Sequence, residues 1–446
     1  MDLDLELVDM LQDTNITSED IIHFYNKRDT CNKTKVKHLI TAMQENNQEL
    51  VQLFVDAGND TGKGKFGDNG AMEIAIKQDN VHLMNIMRKT IRNKRNLVEC
   101  SISHGAIKCF KSELRKFLEN GQHLDPLDLG LRTLLLFRID IVKYLVDIGM
   151  IDFKWKCWER DDQNLLHFVA KRFDYISHTR EICTTQNFAD TVRYLLAQGI
   201  KASKENKGNL NPLWYLLNSN KIRYAEVTED EKQSIVTVCN MLLDAMKRES
   251  GSLLPVSQQN LTLAVSIFFY LHYDSQHPFS IQKQRAIDLV MQLFQMFLQS
   301  GVNPHSVLHS GYSLMWEVNR DLVLYRMHKF ESAAVVCKLL FIYGQKPDEL
   351  VPFLFTAISE NRVFLKELVL NAVSLMASGV LNRFKTQTCE KFEDKDKVIY
   401  KCIRWRKSLE EMCRCVLYAN IPHRRMPAHV DNLPLPPPLK SFLIFQ

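Results

Sequence analysis

The residues that could do chemistry in this chain fall into a few short patterns. Gly62, Gly64 and Gly67 in "GKGKFG" have the G-x-G-x-x-G spacing that can cradle a phosphate on backbone N–H groups. That use requires a preceding strand, whereas the pattern follows the helical periodicity of "ELVQLFVDAG" and runs into a second turn, "DNG" at 68–70. It reads as a turn between helices. His305 and His309 are one helical turn apart, with no Glu between them and no third ligand nearby. Cys413 and Cys415 point to different sides of a helix, which suits a metal poorly. Arg88, Lys89, Arg92, Lys94 and Arg95 could neutralise phosphates or act as a nuclear signal, but such a run more commonly ends a solvated helix. Lys401, Arg404, Arg406 and Lys407 around Trp405 could stack on RNA, although a surface strand or linker fits their position better. With no nucleophile elbow, zinc-protease motif or phosphate loop, the expectation is no catalytic residue, no cofactor and no metal.

The elements that must position any function are helical. Glycine makes up only 16 of 446 residues, which leaves few tight turns. A formal charge of +5 is small for this length and argues against nucleic acid as a partner. "LTLAVSIFFYL" (261–271) is too short to cross a bilayer, so no membrane is expected. The acidic start "MDLDLELVDM" lacks a secretory pattern. Eleven scattered cysteines fit a reduced interior. The expected location is cytoplasmic, with nuclear access open, and the sequons at Asn15, Asn32 and Asn260 are then chance matches.

A drifted repeat runs through the chain. In "LITAMQENNQELVQLFVDAGND" and "MEIAIKQDNVHLMNIMRKT", Ala42 and Ala75 lie 33 residues apart, as do Leu50-Val51 and Leu83-Met84. Helices that end in glycine recur at Gly121, Gly149, Gly199, Gly301 and Gly344, where a positive φ closes the helix. "NLLHFVA" (164–170) and "NPLWYLL" (211–217) resemble the ankyrin opening Thr-Pro-Leu-His-x-Ala, and 33 is the ankyrin period. The expected fold is all-α: an ankyrin-repeat solenoid of roughly eight or nine repeats, followed by a small helical C-terminal element. The expected divisions are an N-terminal helical cap over 1–32, degenerate ankyrin repeats with insertions over 33–383, a linker over 384–402 and a C-terminal box over 403–446. The insertions "KRFDYISHTREICTTQNF" (171–188) and "NSNKIRYAEVTEDEKQ" (218–233) are expected to be loops. Turn tips at Asp68, Asn69, Asp161, Asp162, Lys207 and Asn209 could touch a target or be ordinary turn residues.

Two further motifs lie close together near the C-terminus. Ser408 and Glu411 form a capping box, and Leu409, Cys413 and Leu417 then fall on one apolar stripe. After a short loop comes "LPLPPPL", in which fixed proline φ angles limit the entropy lost on docking. The order and spacing resemble a SOCS box, and with repeats upstream the chain resembles the ankyrin repeat and SOCS box family. That resemblance implies a non-catalytic substrate receptor of a ubiquitin ligase. Its BC box (408–417) would meet elongin C, paired with elongin B, through Leu409, Cys413 and Leu417. Its cullin box (430–443) would select cullin-5 with a RING protein through Leu433, Pro434, Leu435 and Pro436. The repeats would hold an unidentified protein substrate. Phe442 stands where the family usually has Tyr, and "PHRRMPAHVDN" is a longer connection than usual. The alternative is an ankyrin scaffold whose proline segment is a ligand for SH3 or WW domains.

Overall fold

The computed structural model of the chain describes residues 16–27, 32–57, 71–88, 95–121, 124–153, 163–174, 176, 184–250, 258–273, 280–301 and 332–343, with residues 7, 10, 11, 437 and 440. The elements among them are helices, grouped in two compact units.

The first unit, Met1–Cys157 with His178–Asn187, begins with α1 (Ser18–Lys27). Thr17 caps it: its hydroxyl accepts from the Asp20 N–H, and the Asp20 carboxylate accepts from the Thr17 N–H at 2.9 Å. Four helix pairs follow: α2 (Asn32–Gln44) with α3 (Gln48–Asp56), α4 (Ala71–Lys77) with α5 (Val81–Arg88), α6 (Arg95–His104) with α7 (Ile107–Glu119), and α8 (Pro126–Leu135) with α9 (Ile139–Asp147). The two helices of each pair pack together. First helices also stack, α2 on α4 and α4 on α6, while α1, α3, α5, α7 and α9 form a second row. Ala42 and Ala75 are fully buried where α2 meets α4, so the missing side-chain bulk lets the backbones approach. Val51, Leu83 and Met84 are fully buried in the second row. Each large apolar side chain buried this way contributes about 1.5–3 kcal/mol.

The reversal inside every pair uses the same device. Asn46, Asp79, Gly105 and Phe137 take φ of 56°, 50°, 69° and 54°. In each, that residue's N–H returns to the carbonyl three back, and the next N–H to the carbonyl five back. Both orphan carbonyls of the first helix are thereby satisfied within a turn of two or three residues. Side chains then tie successive turns together. Asn80 Nδ2 donates to Asn46 Oδ1 at 2.7 Å. The Asp79 carboxylate accepts from the Lys108 and Cys109 N–H groups at 3.1 and 2.9 Å, capping α7 of the next pair. Arg138 donates back to the carbonyls of Ile102 and Ser103 at the end of α6.

The second unit, Trp158–Ser177 with Phe188–Gln446, holds α10 (Leu165–Arg172), most of α11 (Thr185–Ala197), α12 (Pro212–Leu217), α13 (Asn220–Arg223), α14 (Glu229–Ser250), α15 (Gln258–Tyr273), α16 (Ile281–Gln299) and α17 (Ser332–Ile342). Here α10 packs on α12 and α12 on α15, while α14 packs on α16 and α15 on α16. Phe173 and Phe188, both fully buried, pack with ring centres 5.2 Å apart and planes tilted by 50°. The segment 218–233 is not a loop: it forms α13 and the start of α14. Ser219 caps α13 through the Ile222 N–H, and Thr228 with Glu231 makes a capping box for α14. Segment 171–188 likewise contributes the end of α10 and the start of α11. The glycine closures at Gly121, Gly149, Gly199 and Gly301 all have positive φ and return their N–H three residues back, while Gly344 lies outside the described residues.

Gly105 and Gly149 separate strain from crowding. A Cβ at Gly105 would sit 2.9 Å from Arg138 Nη1, whereas at Gly149 it would meet open space. Gly149→Ala should cost about 1–2 kcal/mol, the left-handed penalty alone. Gly105→Ala should cost more, and Arg138→Ala should remove that excess; urea unfolding of the two singles and the double measures it.

Candidate functional site

In the second unit, polar side chains connect the openings of successive helices. Asn164 caps α10, accepting from the Leu166 and His167 N–H groups at 3.1 and 3.3 Å. His167 Nδ1 accepts from the Asn164 N–H at 3.1 Å, so Nε2 carries the proton and donates to the Leu210 carbonyl at 3.0 Å. That carbonyl immediately precedes Asn211, whose side chain caps α12 at the Trp214 N–H (3.0 Å). Asn260, in the first turn of α15, donates Nδ2 to the Asn211 side-chain oxygen Oδ1 at 3.1 Å. Asn164, His167, Asn211 and Asn260 are all buried. Burial lowers the His167 pKa to about 4, against the raising effect of the Leu210 carbonyl, so the ring is neutral with both nitrogens engaged. It holds helices in register and is not placed to move protons. A carbohydrate chain cannot reach Asn260, which is 0% exposed.

The other reactive side chains are similarly quiet. Burial pushes the Cys100 and Cys109 thiols, and that of Cys337, up to about 12, and raises Cys239 further, away from the thiolate a nucleophile needs. His104 donates to Glu73 at 3.1 Å and is held below its ordinary range by burial. Among the described residues no cluster of His, Cys, Asp or Glu could hold a metal.

A surface groove lies between α13 and α15. Arg223 and Tyr224 line one side, and Leu263, Ser266, Ile267 and Tyr270 the other, around a volume of about 270 Å³. The α15 residues recur at i, i+3, i+4 and i+7 and therefore share one face. The neighbouring Lys221, 2% exposed, anchors α13: its ammonium pairs with Glu231 and sits 5.3 Å from the centre of the Phe173 ring. Glu231 in turn accepts from the Thr228 N–H at 2.8 Å. Burial raises the Glu231 pKa, and the Lys221 and Thr228 hydrogen bonds outweigh that effect and leave it lowered. Local pattern does not show this groove, because 218–233 reads as an insertion loop. Ser219 is the sequence signal for α13, and the Thr228–Glu231 spacing is the signal for α14.

Leu409, Cys413, Leu417, Leu433, Pro434, Leu435 and Pro436 lie outside the described residues, as do Gly62, Gly64, Gly67, His305, His309, Cys415 and the basic residues around Trp405. Asp68, Asn69, Asp161 and Asp162 lie there too. Pro437 is exposed and, like Lys440, helical. A proline's φ suits a first helical turn. Arg88 is not a free phosphate ligand: it pairs with the buried Glu113 at 3.3 Å. Lys207 and Asn209 belong to a turn built on Asn206, whose side-chain oxygen accepts from the Gly208 and Leu210 N–H groups.

Residues 407–444 match the SOCS box family model. The match falls inside the span expected for that element and does not extend to the helix pairs. A comparison with curated proteins finds no match for the chain.

His167 sets a pH dependence. Its folded pKa lies below its ordinary 6.5, so the unfolded chain binds the proton more readily. Stability should be constant above about pH 6.5 and fall as pH drops toward 4, by up to about 1.4 kcal/mol per unit. His167→Gln, which cannot titrate, should reduce that slope in urea titrations across the same range, leaving the contribution of His104, whose pKa burial also lowers.

Proposed function

We propose that this chain is a non-catalytic substrate-recognition subunit of an elongin B/C–cullin-5–RING ubiquitin ligase. The SOCS box match at 407–444 carries the reading. Leu409, Cys413 and Leu417 would present the apolar stripe to elongin C, with elongin B bound beside it. Leu433, Pro434, Leu435 and Pro436 would select cullin-5. The upstream helices would act as a degenerate ankyrin array that holds a target protein. Three features support that part: the 33-residue offset of Ala42 and Ala75, the repeated left-handed turns, and the His167 link between helix openings. Catalysis would belong to a ubiquitin-charged conjugating enzyme brought by the RING protein. The quiet thiols and the fully engaged His167 fit a chain that works by affinity. Its place of action would be cytoplasmic, with access to the nucleus.

Co-expression with elongins B and C tests recruitment. The wild-type chain should co-elute as a ternary complex, and Leu409→Asp with Cys413→Asp should not, because a carboxylate on that stripe would be buried without a partner. Pro434→Ala with Leu435→Ala should keep the elongins and weaken cullin-5 at least tenfold. A folded wild-type chain that binds neither elongin would contradict the proposal and favour an SH3 or WW ligand in the proline segment.

A further inference from the structure

In the first unit α2 carries three lysines and no acid, whereas α4, α6 and α8 are mixed in charge. In α4, α6 and α8 acids and bases neutralise one another: Glu73 pairs with Lys77 at 3.3 Å, and Arg132 pairs with Asp128 at 3.0 Å and Glu99 at 3.3 Å. In the second unit α10, α12, α13 and α15 contain no Asp or Glu at all. Their acids are displaced to α14 and α16, which carry Glu229, Asp230 and Asp288 among others. Of the cations on these acid-free helices, Lys221 is buried against Glu231 and Arg172 is engaged. Lys171 and Arg223 are exposed, and neither has an ion-pair partner among the described residues. Glu226, exposed on the turn beyond Arg223, makes no ion pair with it.

The groove places Arg223 beside two aromatic rings. Tyr224 is 54% and Tyr270 37% exposed, unusual for side chains of that size, and Ile267 is buried at 3%. Exposed tyrosine and arginine around an apolar floor are the residue types that dominate binding energy at protein interfaces. A volume of about 270 Å³ is smaller than a typical small-molecule pocket and suits a large side chain entering from a partner. A second copy of this face is a poor occupant, because the acid-free surfaces would meet cation to cation. Nucleic acid needs several phosphate contacts to bind, and two exposed cations supply few.

We propose that the face of the second unit carried by α10, α12, α13 and α15, centred on this groove, binds an acidic peptide segment of a target protein. A large apolar side chain enters between Tyr224 and Tyr270, and a neighbouring carboxylate pairs with Arg223. The inference rests on reading the helices as the target-holding part of the chain, and it deepens that reading by naming the chemistry of the target.

Selection of displayed random peptides on the full chain, followed by fluorescence titration of the enriched peptides, tests it. Enriched peptides should carry Asp or Glu next to Phe, Leu or Trp, and replacing those acids by amides should weaken binding tenfold or more. Arg223→Glu and Tyr270→Ala should each lose binding at least tenfold. Arg115→Glu, a change to an exposed cation on α7, should not. Arg223 is exposed and unpaired, so its variant should keep the wild-type helical signal and unfolding midpoint. Failure to enrich binders, binders without acidic bias, or binding that survives Arg223→Glu would overturn the proposal. So would Arg223-dependent binding of a labelled single-stranded RNA. Elongins play no part in the selection, so failure here leaves recruitment standing, and failure of elongin co-expression is seen separately.

Discussion

Reversing a helix within two or three residues leaves backbone carbonyls without partners, and this chain solves that problem in the same way in successive pairs. One residue enters the left-handed region, and the next two N–H groups available return to the first helix. The turn fixes how each second helix leaves its first, and so which faces can stack on the next pair. Asp79 and Arg138 extend the constraint from turn to turn, by capping a later helix and an earlier one respectively. Fully buried Ala42 and Ala75 are useful only because these turns bring α2 and α4 together.

The second unit repeats that turn at Ala225 and adds a different connection. His167 reaches from the opening of α10 to the carbonyl before Asn211, and Asn260 reaches Asn211 from α15. A buried hydrogen bond contributes modestly when made and costs more when broken, so the main effect of these side chains is to fix register. The price is a pH-sensitive imidazole in the interior. What remains free to act is the surface, where the acid-free helices leave Arg223, Tyr224 and Tyr270 open to solvent.

Parts of this arrangement are legible in the sequence because they depend on residue type. Glycine at 121, 149, 199 and 301 marks helix ends where positive φ is needed, and "NLLHFVA" announces a capped opening. Asn46 and Asp79 tolerate the left-handed region, yet Phe137 and Ala225 adopt it at φ of 54° and 58° with nothing in their chemistry to advertise it. Surrounding packing imposes those conformations. The Lys221–Glu231 pair is equally hidden, since it forms only once α13 exists inside what reads as an insertion. The groove depends on that helix, so it could not be read from local pattern. Residues 407–444 are the opposite case: the Ser408–Glu411 spacing, the apolar positions and the prolines lie close together, and the segment matches the SOCS box family model as sequence alone.

As proposed above, recruitment belongs to 407–444 and recognition to the groove between α13 and α15. Hydrogen–deuterium exchange on the full chain, alone and with elongins B and C, measures that separation directly. The account predicts new protection at Leu409 through Leu417, with exchange in α10, α12 and α15 unchanged. Protection of the α13–α15 groove by the elongins, or none at 407–444 in the presence of saturating elongins, would contradict it.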